Sequence, residues 1–469
     1  MAQREPSLSL EHIPDEAWPF PFPRSDWEQI PPSVQAFLLS VVKRIEVLEA
    51  KRSENSQNTS RPPSSDSPYR KPRTKTHSAK KKRGPRKGHK GSRQVLLDPT
   101  EIVDVRPGHC RCGGTRVVGA EPYHIHQKIE LPEIQLDITH FRFLQGSCGR
   151  CGKRVKARSA ELPTHQQVGY GPRLTALVGL LGGTVGVSRR DTQQVLHSVL
   201  GVSTSLGAIQ KMIDRASQAI EPHYDAIGAC VRAAPVNHVD ETSWRCRGAL
   251  QWLWVLANRS AAVFQIHATR SKQAFVSLIG AWRGILVSDD YGVYRDWVNL
   301  HQTCLAHLIR RARKLSEAGD PEVARFGLQA KTELQLMCRW GKAPPGVPEW
   351  NAHYMRVIKL LFAHNERSDE AGTMARALLR QLDNLWVYLE HHAVDPTNNL
   401  AERVLRFLVL RRKATGGTQS EKGNRWLERI ATLRETCRLQ GQRSFPILVD
   451  AIQDRFDGRA PDLSWIPVR

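Results

Sequence analysis

The sequence predicts an α+β multidomain protein, and three observations carry that expectation. Around Asp240, the runs APVNHVDETSW, LQWLWVLANRS and AAVFQIHATR are rich in β-forming residues and separated by turn formers, so they read as an antiparallel meander. From Tyr170 to about Ile227 the apolar spacing turns helical. Between the N-terminus and that helical segment, residues 98–165 read as short strands around a cysteine cluster. A chain of 469 residues accommodates roughly three domains of about 150 residues each.

The charge narrows the partner. Lys and Arg number 69 against 46 acids, a net +23, which calls for a polyanion, nucleic acid before anionic membrane. The longest uncharged apolar stretch, Leu174 to Ser188, is 15 residues with four glycines, and a spanning helix needs about 20. The start, MAQREPSLSLEHIPDEAWPF, lacks the basic and apolar regions of a signal peptide. A cytoplasmic, nucleoid-associated protein with no membrane partner is expected. Nine cysteines are too few for a disulfide scaffold and point to thiols or metal ligands.

Residues 1–51 read as an arm and a short helix. Trp18, Phe20, Phe22 and Trp27 stand among prolines, as in a docking arm. From Val34, the positions Val34, Leu38, Val41, Ile45 and Leu48 step by 4, 3, 4, 3. That seam is either a dimer zipper or a face packed on its own domain. Residues 52–97 shift to Ser, Pro, Lys and Arg, a composition that cannot bury enough surface to order itself. Within them, residues 67–97 hold twelve Lys and Arg and no acid, densest at Lys80, Lys81, Lys82, Arg83, Arg86 and Lys87. Such an arm suits a phosphate backbone, because each neutralised phosphate releases counterions; the bland alternative is a solvated tether.

Residues 98–165 carry Cys110-x-Cys112 and, after a gap of 35 residues, Cys148-x2-Cys151. Two thiol knuckles joined by a strand-rich spacer predict a zinc-ribbon-like module with structural Zn²⁺ on four sulfurs. The first knuckle is tight, with one residue between its cysteines, so either its loop is cramped or His109 replaces one of them. Residues 166–230 form the helical segment, in which Arg189–Leu200 and Ser205–Ile220 flank the turn GVSTS. The spacing fits a helix-turn-helix on DNA and equally a helical hairpin used for packing.

Residues 231–455 hold the meander, a helix over SKQAFVSLIGAW, and a fourth strand in GILVSDDYGVY, followed by a tail at 456–469. Asp240 and Asp289 are each expected at the end of an apolar strand, where carboxylates stand on a rigid support. The strings HVDETSWR with WLWVLAN, VSDDYGVY, CLAHLIRRARKL, TNNLAERVLR and GGTQSEKGNRWLERI occur in this order. Together they resemble transposases of the insertion sequence 66 family, and the resemblance runs from about residue 34 to 455.

The resemblance implies an acidic-triad (DDE) DNA transposase with a ribonuclease H-like catalytic domain, a mixed sheet flanked by helices. Its acids would be Asp240, Asp289 and Glu402. Phosphodiester transfer needs an activated oxygen nucleophile, a stabilised leaving oxygen and neutralised phosphate charge, and two Mg²⁺ ions about 4 Å apart supply all three. Mn²⁺ can substitute, and hard cations take carboxylate oxygen. Glu241 alternates to the other face from Asp240, and Asp290 competes with Asp289 for the second role. The 113 residues from Asp289 to Glu402 imply a helical insertion over about 320–385.

Cys304 and His307 are carried as an accessory pair, with a packed core histidine as the alternative. Arg310, Arg311, Arg403, Arg406, Arg411, Arg412 and Lys413 are assigned to DNA phosphate, and the ATGGTQSEKG loop to a close backbone approach to DNA. Asn398 or Thr397 is expected to cap the helix that carries Glu402. The partners expected are terminal inverted repeats and target DNA, a second copy of the chain when ends are bound, and small companion proteins of the element. Two other readings remain: a transposase-derived DNA-binding protein without catalysis, and a ribonuclease H-like nuclease.

Overall fold

The computed structural model describes residues 24–53, 95–106, 110–115, 118–119, 121–158 and 169–467. Trp18, Phe20, Phe22, His109 and the basic stretch Lys80, Lys81, Lys82, Arg83, Arg86 and Lys87 lie outside the described residues. Helices α1 (Arg24–Glu28) and α2 (Pro32–Ser53) come first, and α2 spans the heptad-spaced positions with Val34 and Ile45 exposed. Among the described residues, no helix is long and apolar enough to cross a membrane.

Over the described part of 95–158 the pairing is a single hairpin, β1 (Gln145–Ser147) with β2 (Arg154–Lys156). The sequence reads as several short strands there. Alternation yields an extended backbone, but a strand also needs a neighbour to take its N–H and C=O groups. Ile125, Ile129, Leu131 and Ile138 remain exposed along this stretch.

The helical segment follows as α3 (Pro172–Leu180), a π-helical turn (Leu181–Val185), α4 (Arg189–Leu200), α5 (Leu206–Ala219) and α6 (Glu221–Ala233). Ser188 Oγ caps α4 by accepting from Asp191 N, and Ser205 Oγ caps α5 by accepting from Ala208 N. The inner face of α5, Ile209, Met212 and Ala216, packs with α3 and with the helices Glu421–Leu439 and Ser444–Asp457 in one core.

A five-stranded mixed sheet then forms from β3 (Val236–Cys246), β4 (Ala249–Ala257), β5 (Ala262–His267), β6 (Ile285–Ser288) and β7 (His301–Thr303), in the order β5-β4-β3-β6-β7. β3, β4 and β5 run antiparallel, while β6 and β7 join parallel to β3. The β3–β4 turn needs positive φ at both central residues to match strand twist, and Arg247 (φ 51°) and Gly248 (φ 80°) supply it. Helix α7 (Lys272–Ile279) makes the crossover from β5 to β6, and α8 (Leu305–Leu315) follows β7.

Helices α9 (Pro321–Trp340), α10 (Val347–Phe362), α11 (Glu370–Arg380) and α12 (Val387–Glu390) then build their own core before α13 (Asn399–Thr415), α14 (Glu421–Leu439) and α15 (Ser444–Asp457). Helices cover both faces of the sheet. On one side Val239, Trp254, Leu256 and Leu286 pack against α6 and α7. On the other, Trp244, Leu253, Val255 and Phe264 pack against α13 and α14. The arrangement is compatible with the ribonuclease H-like domain that the sequence resemblance implies.

Candidate functional site

Asp240 lies in the middle of β3, opposite Val255, not at a strand end as expected. The reason is that β3 outruns its parallel neighbour and continues alongside β4. Its parallel pairing to β6 stops at His238↔Val287. Two more residues in the same register bring Asp240 level with Asp289, the residue that follows β6. Alternation puts Asp240 on the face of Trp244, which packs under α13, and Asp289 on the face of Val287. Glu402 sits in the first turn of α13. Three carboxylates from three elements therefore face one region.

Helix α13 is tied to β3 at both ends. At its start, buried Asn398 does not cap the helix with its side chain, as had been expected. Its Nδ2 donates to Val239 O at 2.7 Å and its Oδ1 accepts from His238 Nδ1 at 3.1 Å, while its backbone N–H donates to Cys304 Sγ at 3.1 Å. At the far end, Arg412 Nη1 donates to Thr242 Oγ1 at 3.0 Å and to Ser243 Oγ at 2.7 Å. Thr418 N donates to Arg245 O, and Arg247 N to Thr418 O, both at 2.9 Å. The GGTQ loop thus directs backbone groups onto β3, where a DNA contact had been expected.

The basic residues assigned to DNA divide. Arg403, Arg406 and Lys413 are exposed on α13. Arg411 turns inward to the carbonyls of Gly182 and Gly183, left open by the π-helical turn, and burial lowers its pKa to about 10. With Arg412 on Thr242 and Ser243, these two serve the packing of this chain. Arg310 Nη2 donates to Glu402 Oε1 at 3.0 Å, and Arg311 Nη1 to Asp290 Oδ2 at 3.0 Å. Asp290 also meets Arg295, so two guanidiniums neutralise it.

Burial is the first cause that pushes the Asp240 carboxyl well above the usual carboxylate range, and Glu241, Asp289 and Glu402 add to it in that order. Burial, then Glu241, pushes Asp289 up to about 7. Oxygen-only donors in a field of excess negative charge suit a hard divalent cation. Yet among the described residues no three His, Cys, Asp or Glu side chains are placed together to hold a metal, and Glu402 is engaged by Arg310. The cysteines likewise form two thiol pairs, Cys110 with Cys112 and Cys148 with Cys151, not one set of four.

Because the folded-state pKa of Asp289 lies above its unfolded value, the folded protein keeps that proton longer. Stability from this group is therefore greatest at low pH and is lost as pH rises from about 4 to about 7. The melting temperature of wild type minus that of Asp289→Asn is expected to fall across this window in chelator, and Mg²⁺ is expected to reverse the fall. A difference independent of pH would contradict it.

Sequence reading missed the brace behind the acids. Glu241, on the opposite face of β3, is held by Tyr294 Oη and by Arg270, whose Nε donates at 2.6 Å. The Arg270 guanidinium lies 3.8 Å from the Tyr291 ring centroid, and Tyr291 N donates to Asp289 Oδ1 at 3.0 Å. A glutamate beside Asp240 is thereby linked through an arginine and a tyrosine to Asp289. The signal available was Glu241 itself, a charge on a buried strand face that needs a partner. In the accessory pair, burial pushes the Cys304 thiol up to about 12 and His307 down to about 3, so both are neutral. His307 Nε2 lies 3.6 Å from Glu402 Oε1.

Residues 170–425, more than half of the chain, match the family described as Transposase IS66 family. Residues 23–95 match a family of unknown function, DUF6444. The chain is also similar to two proteins of Sinorhizobium fredii (strain NBRC 101917 / NGR234). With uncharacterized protein y4jO it is 27% identical over 184 residues, 38% of this chain and 54% of that one. With uncharacterized protein y4hP it is 22% identical over 396 residues, 73% of this chain and 70% of that one. The chain thus spans about half the length of the first relative.

Proposed function

The chain belongs to the IS66 transposase family, and on that premise we propose that it cuts and rejoins DNA at the ends of its own insertion sequence, with Asp240, Asp289 and Glu402 as the metal-bearing acids. The observation that supports this most is the level placement of Asp240 and Asp289 on parallel neighbours, with α13 holding Glu402 over the same face. Family membership implies that DNA is bound.

Divalent cations, Mg²⁺ or Mn²⁺, would be held by Asp240 and Asp289 and supply charge stabilisation at the attacking and leaving oxygens. The residues themselves do the rest. The exposed stripe Arg403, Arg406 and Lys413 on α13 sets the phosphate backbone beside the acids by charge pairing. The brace through Glu241, Arg270 and Tyr291 fixes the orientation of Asp289. In the first cut water would attack the phosphate at the element end and expel the element's 3′-oxygen as a hydroxyl; that hydroxyl would then attack a target phosphodiester, forming a new P–O bond while the target's own 3′-oxygen leaves and takes up the proton, with no covalent bond to the protein. Structural zinc on Cys110, Cys112, Cys148 and Cys151 belongs to the same reading, since such sites fold as they bind metal.

Purified protein with Mg²⁺ is expected to cleave a duplex carrying the terminal repeats that flank the gene, and to join the freed 3′ end to a second duplex. Cleavage without joining would favour a nuclease, and binding without either would favour a DNA-binding descendant. Cleavage that persists in chelator would rule out the metal-bearing acids.

A further inference from the structure

The third acid carries a cation of the chain's own. Glu402 Oε1 accepts from Arg310 Nη2 at 3.0 Å, and His307 Nε2 stands 3.6 Å from the same oxygen. Both partners come from α8, whose Leu305, Leu308, Ala312 and Leu315 are buried, so the helix cannot slide away from this contact without losing its core. Two nitrogens of this group are buried without any hydrogen-bond partner: Arg310 Nε and His307 Nδ1. Buried polar atoms left without a partner are rare and costly, and each calls for an explanation.

A carboxylate oxygen that accepts a guanidinium N–H competes with a metal for the same lone pairs. That is consistent with the absence, among the described residues, of any three-ligand set although Asp240 and Asp289 stand level. The Nε and Nη2 atoms of an arginine form one edge of its fork, and that edge matches two oxygens of a phosphate. In Arg310 one atom of the edge holds Glu402 and the other has no partner.

We propose that Arg310 is a positioning residue that exchanges partners: it holds Glu402 in the DNA-free protein and moves to a DNA phosphate when the strand arrives, freeing Glu402 to join Asp240 and Asp289. The inference rests on the proposed function. The exchange couples loading of DNA to completion of the metal site, so the protein without DNA lacks the third ligand. Asp290 makes a parallel pair with Arg311 nearby, but it is neutralised by Arg295 as well and has no such unfilled edge.

The test is Mn²⁺ binding to the full-length protein, read from the paramagnetic resonance of the free ion, with and without a duplex ending in the element's terminal repeat. Binding to the duplex alone is subtracted. Wild type is expected to bind Mn²⁺ about tenfold tighter with the duplex. Arg310→Gln is expected to bind about tenfold tighter than wild type without DNA and to gain almost nothing from it. If Arg310→Gln binds no tighter than wild type without DNA, the pair is a fixed strut and the proposal is overturned.

Should Arg310→Gln fail to fold, Arg310→Lys is read instead. It keeps the charge but lacks the fork, and is expected to fall between the two; equality with wild type overturns the proposal. Asp240→Asn separates the two levels of inference. If it leaves Mn²⁺ binding intact, the assignment of the acids fails and this proposal with it. If it abolishes binding while Arg310→Gln matches wild type, the exchange alone falls.

Discussion

Asp240→Asn is expected to slow Mg²⁺-dependent strand cleavage by about a thousandfold or more, equivalent to the several kcal/mol that metal charge stabilisation supplies. The amide has the same shape and cannot carry charge, so packing against α13 is undisturbed. Affinity for DNA is expected to stay within about twofold, because Arg403, Arg406 and Lys413 are untouched and sequence-independent affinity follows phosphate contacts. The folded protein is expected to gain stability in chelator. Asp240 is buried beside Glu241, Asp289 and Glu402, all of which raise its pKa, so its charge opposes folding until a cation is present. Three measurements check the idea: cleavage rate, DNA affinity and melting temperature. A variant that cleaves at the wild-type rate would remove Asp240 from the chemistry, and one that loses cleavage, affinity and stability together would show a packing role.

The sheet was legible because its signal is local. Runs such as LQWLWVLA are dense enough in β-forming apolar residues to announce a strand, and Arg247-Gly248 marks the turn before it. The short strand β7, three residues in HQT, was not foreseen, since so brief a run has no period and forms only because β6 offers it a parallel edge. The approximate place of the acids was also readable from the strings around them, but their surroundings were not. Whether Arg411 meets DNA or two glycine carbonyls depends on a π-helical turn more than two hundred residues earlier. Asn398 shows the same limit: its position invites a cap, while its actual partners, His238 and Val239, lie on a strand that only the fold brings near. The pairing of Glu402 with Arg310 is likewise tertiary, because α8 and α13 are separated by the whole helical insertion.

Gly417→Val is expected to destabilise the protein by about 4 kcal/mol, at the high end for a single substitution, through two named causes. Gly417 has φ +112°, in the region that side chains other than glycine's avoid, and a Cβ there would meet the carbonyl oxygen of Arg245. That carbonyl is the acceptor for Thr418 N, so the clash falls on the bond that fastens the end of α13 to β3. Trp244, fully buried under α13, donates its indole N–H to Thr418 Oγ1 at 3.1 Å and would lose its partner as the loop lifts. The consequence reaches the acids because, among the described residues, the hydrogen bonds that orient α13 on β3 lie at its two ends, from Asn398 at one and from Arg412 and Thr418 at the other, while the contacts between them are apolar and non-directional. With the far anchor gone, Glu402 pivots about Asn398. Cleavage is therefore expected to fall about a hundredfold even at temperatures where the variant is fully folded, as a shift of about 1 Å at a catalytic group allows. Gly416→Ala is the comparison. Its φ is also positive, at +71°, but a Cβ there meets nothing within 4 Å. It is expected to cost about 1 kcal/mol in stability and to leave the cleavage rate nearly unchanged. Equal loss of activity in the two variants would mean that the loop acts on DNA directly and not through the seat of α13.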